Sequence, residues 1–270
     1  MLYLHGWNDY FFQTHVGDFF ASLGYDFYAL DLRRYGRSLR PEQLHGYIAN
    51  LSDYDAEIDA AVARIRRRHS GVVLYGHSTG GLIAALWADS HPGEVDGIIL
   101  NAPWLDLQAT PMWRAIAPPL VTGFGARNPG AVLPVPDDDG VYARALHASQ
   151  GGEWEYDLDW KAPGPVPIRA GWLAAVLRGH ERVAVGLDLD VPVLVLASTR
   201  SDFGRRWRED LRRVDTVLDV EQIAARSVRL GSIVTLIRFE DALHDVTLSS
   251  KPVRRRVFAE VRRWVAAYLA

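Results

Sequence analysis

Cysteine is absent from this 270-residue chain, which excludes disulfides, thiolate nucleophiles and cysteine-ligated zinc. Lysine is nearly absent: Lys161 and Lys251 are the only two, and arginine carries the positive charge. No apolar run approaches the roughly 18 residues that a membrane-spanning helix needs. The opening stretch Met1 to Gly6 is apolar, but it is too short for a signal peptide and has no basic leader. A strong excess of either charge is also missing. The net charge is −3 and the pI about 6.3, so nothing points to nucleic acid as a partner. The expected location is cytoplasmic. What is present is ordinary globular composition, 49% hydrophobic and 23% charged, with length enough for one core and an insertion.

Short β-rich runs alternate with helical patterns. Leu2-Tyr3-Leu4, Phe27 to Leu30, Val72 to Tyr75, Ile98 to Leu100, Val191 to Leu196 and Ile233 to Ile237 read as strands. Helices are expected over 10–23 with Asp9 as cap, from Ser52 to His69, from Ser78 to Ser90, over 203–213, near 219–229 and from Val253 to Leu269. In the last, Val253, Val257, Val261, Trp264 and Tyr268 share a face. This alternation predicts an α/β fold, a mostly parallel sheet flanked by helices. The rhythm breaks over 108–190, which is rich in proline and tryptophan. The expected division is a core of 1–107 and 191–270 with a cap or lid inserted at 108–190.

The strand 72–75 runs into Gly76-His77-Ser78-Thr79-Gly80-Gly81 and then a helix. G-x-S-x-G in a strand–turn–helix setting is the nucleophile elbow of an α/β-hydrolase. The glycines let a tight turn pass close to its neighbours, and the turn lifts the serine hydroxyl above the carboxyl end of the sheet. A serine hydroxyl is a weak nucleophile at neutral pH and needs a base, which needs an orienting acid. The chain order in this fold is Ser, then acid, then His. Asp202, after the strand 191–196, is the expected acid, with Asp106 after the fourth strand as its rival. His244, between the last strand and the last helix, is the expected base. Two backbone N–H groups would form the oxyanion hole: that of Thr79, after the nucleophile, and that of Trp7, in the turn His5-Gly6-Trp7-Asn8-Asp9. The Trp7 indole is expected only to pack.

With these residues in place, the chain resembles the monoacylglycerol lipase and lysophospholipase group of α/β-hydrolases, also called serine aminopeptidase-like. The resemblance rests on the His5-Gly6 turn, Asp31 to Ser38, Gly76 to Gly81, Asn101-Ala102-Pro103 and the loops of Asp202 and His244. Asp31 and its arginines are expected to tie down their own loop. Thr79 stands where such proteins often have methionine. They also usually carry two strands before the His-Gly turn, which here begins at residue five. The first two strands of the usual sheet are therefore expected to be missing, leaving the strand 25–30 as an exposed edge. Self-pairing of that edge across a two-fold axis would give a homodimer.

The expected function is hydrolysis of carboxylic esters, with a small-molecule or lipid-like ester as substrate. No cofactor and no metal are implied: H-E-x-x-H, a P-loop and a dinucleotide fingerprint are all absent from the sequence. Trp104, Trp154, Trp172 and His180 are the expected substrate-binding residues, with packing in a small cap core as the other reading of each. Two further readings stay open. One is an amidase or aminopeptidase, with Asp137 to Asp139 or Glu153 as the anchor for a free amino group. The other is a non-catalytic ligand-binding member of the fold.

Overall fold

The computed structural model describes residues 1–108, 111–134, 140–164 and 166–269. Six strands form one parallel sheet: β1 (Leu2–Leu4), β2 (Tyr28–Leu30), β3 (Val73–His77), β4 (Gly97–Asn101), β5 (Val193–Ser198) and β6 (Val234–Phe239). Their order is β2-β1-β3-β4-β5-β6, and every pairing is parallel. Successive side chains leave a strand on opposite faces, and the core divides accordingly. Leu2, Leu4, Leu74, Ile98, Leu100, Val193 and Val195 join one buried cluster. Tyr3, Val73, Tyr75, Ile99, Leu194 and Leu196 join the other. Both faces are apolar because both are covered by helices.

The helices of the sheet layers are α1 (Thr14–Ala21), α2 (Asp55–Arg66), α3 (Thr79–Ser90), α7 (Val220–Ser227) and α8 (Lys251–Tyr268). Helix α3 is buried from Thr79 through Ala88. Between β4 and β5 lie α4 (Pro111–Arg127), α5 (Val141–Leu146) and α6 (Ala170–Val185). The edge strands are β2 and β6, and the central Ala29 of β2 is exposed.

Several boundaries differ from the sequence expectation. Helix α1 starts at Thr14 with Gln13 at its cap position, so Asp9 caps nothing there. The Asp9 carboxylate is instead paired with Lys161. Asn50, not Ser52, opens the helical run before α2: it forms a reciprocal cap with Asp53, and a 3-10 turn over Leu51–Tyr54 precedes the helix. No helix spans 203–213. A 3-10 turn occupies only Glu209–Arg213, and Arg208 and Arg212 pair locally with Asp202, Asp210 and Glu209. On α8, Val253, Val257, Val261 and Trp264 are buried as expected, whereas Tyr268 is exposed. Among the described residues no helix is long and apolar enough to cross a membrane.

Candidate active site

Strand β3 delivers the chain into a strained turn at the neck of α3. Ser78 has φ 53° and ψ −118°, a conformation that side-chain-bearing residues rarely adopt and that marks functional turns. Backbone bonds hold it there. Its N–H donates to the Asn101 carbonyl at 3.0 Å, and its carbonyl accepts from Trp104 N–H at 3.0 Å. The expected need for glycine is met by contact. A Cβ on Gly76 would lie 2.6 Å from the Gly80 carbonyl oxygen, and one on Gly80 would run into the Leu4 and His5 carbonyls.

The turn after β1 passes directly over the elbow. A Cβ on Gly6 would stand 3.0 Å from Ser78 Cβ, so this turn puts the Trp7 amide in the neighbourhood of the serine. His5 fastens the turn at its start. Its Nε2 accepts from Leu32 N–H at 3.0 Å and its Nδ1 lies 2.8 Å from the Gly6 carbonyl. An Nε2 that accepts leaves the proton on Nδ1, so the ring is neutral, and burial lowers its pKa in the same direction. The Trp7 indole packs, as expected, 3.9 Å from the Trp172 ring.

His244 follows β6 as expected and is 2% exposed. Its ring stands 4.9 Å from that of His77, the residue before the nucleophile. Its Nδ1 lies 2.9 Å from Oδ2 of Asp215, a carboxylate with no exposure at all. The other oxygen of Asp215 accepts the N–H groups of Val217 and Leu218, both at 2.8 Å. Next to His244, the Asp245 carboxylate accepts from Asn101 Nδ2 at 2.6 Å, from Gln13 Nε2 at 3.1 Å and from Thr247. These bonds fasten the histidine loop to the end of β4 beside the elbow.

The carboxylate that His244 meets is therefore not the one the sequence reading named. Asp202 is engaged with other partners: its carboxylate accepts from Gly204 N–H at 2.9 Å and pairs with Arg208. The Gly204 bond and the Arg208 guanidinium hold its pKa below the usual range. Asp202 and Asp215 are neighbours through the backbone, since Asp202 N–H donates to the Asp215 carbonyl and Asp215 N–H to that of Arg200. The returning arm of the loop after β5 thus carries the carboxylate that meets the histidine. Asp106 is paired with Arg226 at 2.8 Å. A sequence signal for Asp215 existed. It sits in Val214-Asp215-Thr216-Val217-Leu218, and an acid in an apolar run must be buried and therefore partnered. Asp202 lies among arginines and a glycine, the setting of a solvated loop.

The four expected substrate residues do not stay together. Trp104, Trp172 and His180 form one cluster: Trp104 and Trp172 rings are 6.0 Å apart, Trp104 and His180 rings 5.1 Å, and His180 Nε2 is 3.0 Å from the Trp104 carbonyl. Trp154 lies elsewhere. Its indole donates to the Leu248 carbonyl at 2.7 Å, stacks on His15 and lies under Arg254. Glu153 is paired with Arg254 at 2.9 Å, and Asp137 to Asp139 lie outside the described residues. Sequence reading also missed Lys161. It is 8% exposed, with Nζ 2.8 Å from Asp9.

The comparisons with known proteins agree with this architecture. The family model described as serine aminopeptidase, S33, matches residues 1–145, more than half of the chain. The chain is 30% identical over 144 residues to "Phospholipase YtpA" of Bacillus subtilis (strain 168), covering 48% of this chain and 54% of that protein. It is 26% identical over 201 residues to "1-acylglycerol-3-phosphate O-acyltransferase ABHD5" of Rattus norvegicus, covering 64% and 55%. The chain thus spans about half the length of the curated relatives it matches. Among solved structures, a monoacylglycerol lipase of Paleococcus ferrophilus superposes with a TM-score of 0.70 at 18% identity, covering 99% of this chain and 93% of that one. A monoglyceride lipase of Saccharomyces cerevisiae gives 0.70 at 15% identity, covering 99% and 86%. With its parallel sheet, its elbow and the family match over 1–145, the chain belongs to the serine aminopeptidase S33 family of α/β-hydrolases.

Proposed function

We propose that the chain is a serine hydrolase acting on carboxylic esters, with Ser78 as nucleophile, His244 as general base and Asp215 as the orienting acid. The observation that carries this reading is the buried His244–Asp215 bond of 2.9 Å, in a loop fastened beside the strained Ser78 turn. With Nδ1 directed at a carboxylate, the His244 Nε2 holds a lone pair and takes the serine proton as Ser78 Oγ attacks the acyl carbon. The resulting oxyanion is received by the N–H groups of Thr79 and Trp7. Collapse expels the alcohol, which takes the proton from His244, and water then releases the acid by the reverse relay.

The same reading makes residues 108–190 a cap. Ser78 is 8% exposed and His244 2%, and the Tyr142 ring of this segment stands 5.6 Å from that of His244. On α4, Met112, Ile116, Leu120 and Phe124 recur every four residues and are all exposed. An apolar stripe of this kind favours a lipid-like ester presented by an aggregate or surface. The similarity to a phospholipase supports the same substrate class. Of the two anchors an amidase would use, Glu153 is already paired with Arg254, and Asp137 to Asp139 lie outside the described residues.

The test is labelling by a fluorophosphonate probe, followed by turnover of p-nitrophenyl esters of increasing acyl length against aminoacyl anilides. Ser78→Ala should abolish labelling and reduce turnover by about a thousandfold or more, with the melting temperature close to that of the parent. Labelling that persists in Ser78→Ala would overturn the assignment. Anilide turnover exceeding ester turnover would move the reading to an amidase.

A further inference from the structure

Lys161 is one of only two lysines in the chain, yet it is buried and 152 positions from the acid it pairs with. Asp9, its partner, is 2% exposed and ends the turn that begins at His5. The residue between Trp7 and Asp9 makes a second connection to the same place. Asn8, held at φ 49°, donates from Nδ2 to the Ala162 carbonyl at 2.9 Å and accepts from Ala162 N–H at 3.2 Å. Three polar contacts thus join the consecutive residues Asn8 and Asp9 to the consecutive residues Lys161 and Ala162. The ammonium is enclosed by the rings of Phe12, Tyr142 and Tyr156, all between 5.7 and 5.9 Å away. The Tyr142 ring in turn lies 5.6 Å from that of His244.

Stability alone is a poor explanation for such a pair. A buried ion pair contributes little net stabilisation, and an apolar pair of similar volume is often as good or better. What the pair does control is position. The His5-to-Asp9 turn is pinned at its start by the His5 ring and at its end by Asn8 and Asp9. Between these anchors lie Gly6, packed on Ser78, and the amide of Trp7. A shift of about 1 Å in a group aimed at a reacting centre can cost a hundredfold in rate.

We infer that the Asp9–Lys161 pair and the Asn8–Ala162 brace are a positioning device that lets residues 161–162 of the insertion aim the Trp7 amide at the oxyanion. Asn8, Asp9 and Lys161 are positioning residues and touch no reacting atom. The inference rests on the serine hydrolase reading above. It implies that the oxyanion hole is complete only while this part of the insertion is docked.

The experiment compares wild type with Asn8→Ala, Lys161→Met, Lys161→Arg and the apolar double variant Asp9→Leu/Lys161→Met. The readouts are kcat and KM on p-nitrophenyl butyrate, the second-order rate of fluorophosphonate labelling, and the melting temperature. Asn8→Ala and the double variant should lose about ten- to a hundredfold in kcat and in labelling rate, with KM changed by no more than about threefold. The double variant should melt at or above the wild-type temperature, which a purely structural pair would accompany with unchanged kcat. Lys161→Arg should recover much of what Lys161→Met loses. If wild type labels and turns over normally while Asn8→Ala keeps the wild-type kcat and labelling rate, the positioning inference is wrong and the hydrolase reading stands. Asn8→Ala strands no buried charge, and Asn8→Gly, which accepts the positive φ that strains alanine, should show the same loss, so the two together decide the matter even if the charge variants fail to fold. A wild-type protein that does not label at all overturns the hydrolase reading and, with it, this one.

Discussion

His244 Nδ1 faces Asp215 Oδ2 at 2.9 Å in a site where neither side chain is more than 3% exposed. The carboxylate is itself held from the far side by the Val217 and Leu218 amides. The geometry predicts that Asp215→Asn drops kcat by about 10⁴-fold, since an amide in that place favours the wrong tautomer of the histidine. Asp202→Asn should stay within about threefold of wild type, because its partner is Arg208. Ester turnover of the two purified variants measures this, and a reversed ranking would remove Asp215 from the triad.

Stability should fall with acidification below about pH 6.5. Burial pushes His180 down to about 4 and lowers His5 and His77 as well. A histidine whose folded pKa is depressed binds its proton first in the unfolded state. Stability is then complete above the unfolded pKa near 6.5 and is lost as the pH falls toward the folded value. For His180 alone the loss between pH 6.5 and pH 4 is about 3 kcal/mol. Thermal melts at pH 7.5, 6 and 5 should show a steady decline that is shallower in His180→Gln, and a flat profile would contradict the neutral buried state.

Trp154 and Trp104 should behave differently on truncation. Trp154 is tied to the Leu248 carbonyl and stacked on His15, so Trp154→Ala should cost about 2–3 kcal/mol, below the usual core range because the ring is only half-buried. Its acyl-length profile should match wild type. Trp104 shares its cluster with Trp172 and His180, and its N–H donates to the Ser78 carbonyl. Trp104→Ala should change the relative rates on short and long p-nitrophenyl esters, which a parallel series of kinetic and melting measurements would resolve.

The edge of the sheet offers a further test. Strand β2 pairs only with β1, and its central Ala29 is exposed. Unpaired strand edges are sites of self-association, and a lysine placed there opposes it. Light scattering over a concentration series should show dimer formation that Ala29→Lys suppresses, with ester turnover retained. A wild-type chain that stays monomeric throughout would exclude the β2 edge as an interface.

What the sequence by itself determined is the part of this protein written in local pattern. The alternation of β-rich runs with helical spacing predicted the parallel sheet. The glycines around Ser78 marked the elbow, because a strained turn touching two backbones tolerates little else. The position of His244 between the last strand and the last helix was legible as well. The apolar run around Asp215 signalled its burial, but tertiary structure decided that it is the carboxylate meeting that histidine. Two arms of one loop pair through Ser201 and Asp215, and the face each acid presents depends on that pairing, not on its distance from the strand. The same holds for Trp154, which docks on the His15 side and not with Trp104, and for Lys161 with Asp9. A contact between positions 152 residues apart leaves no trace in local spacing. It exists only once the insertion has folded back over the first turn of the chain and excluded water from both charges.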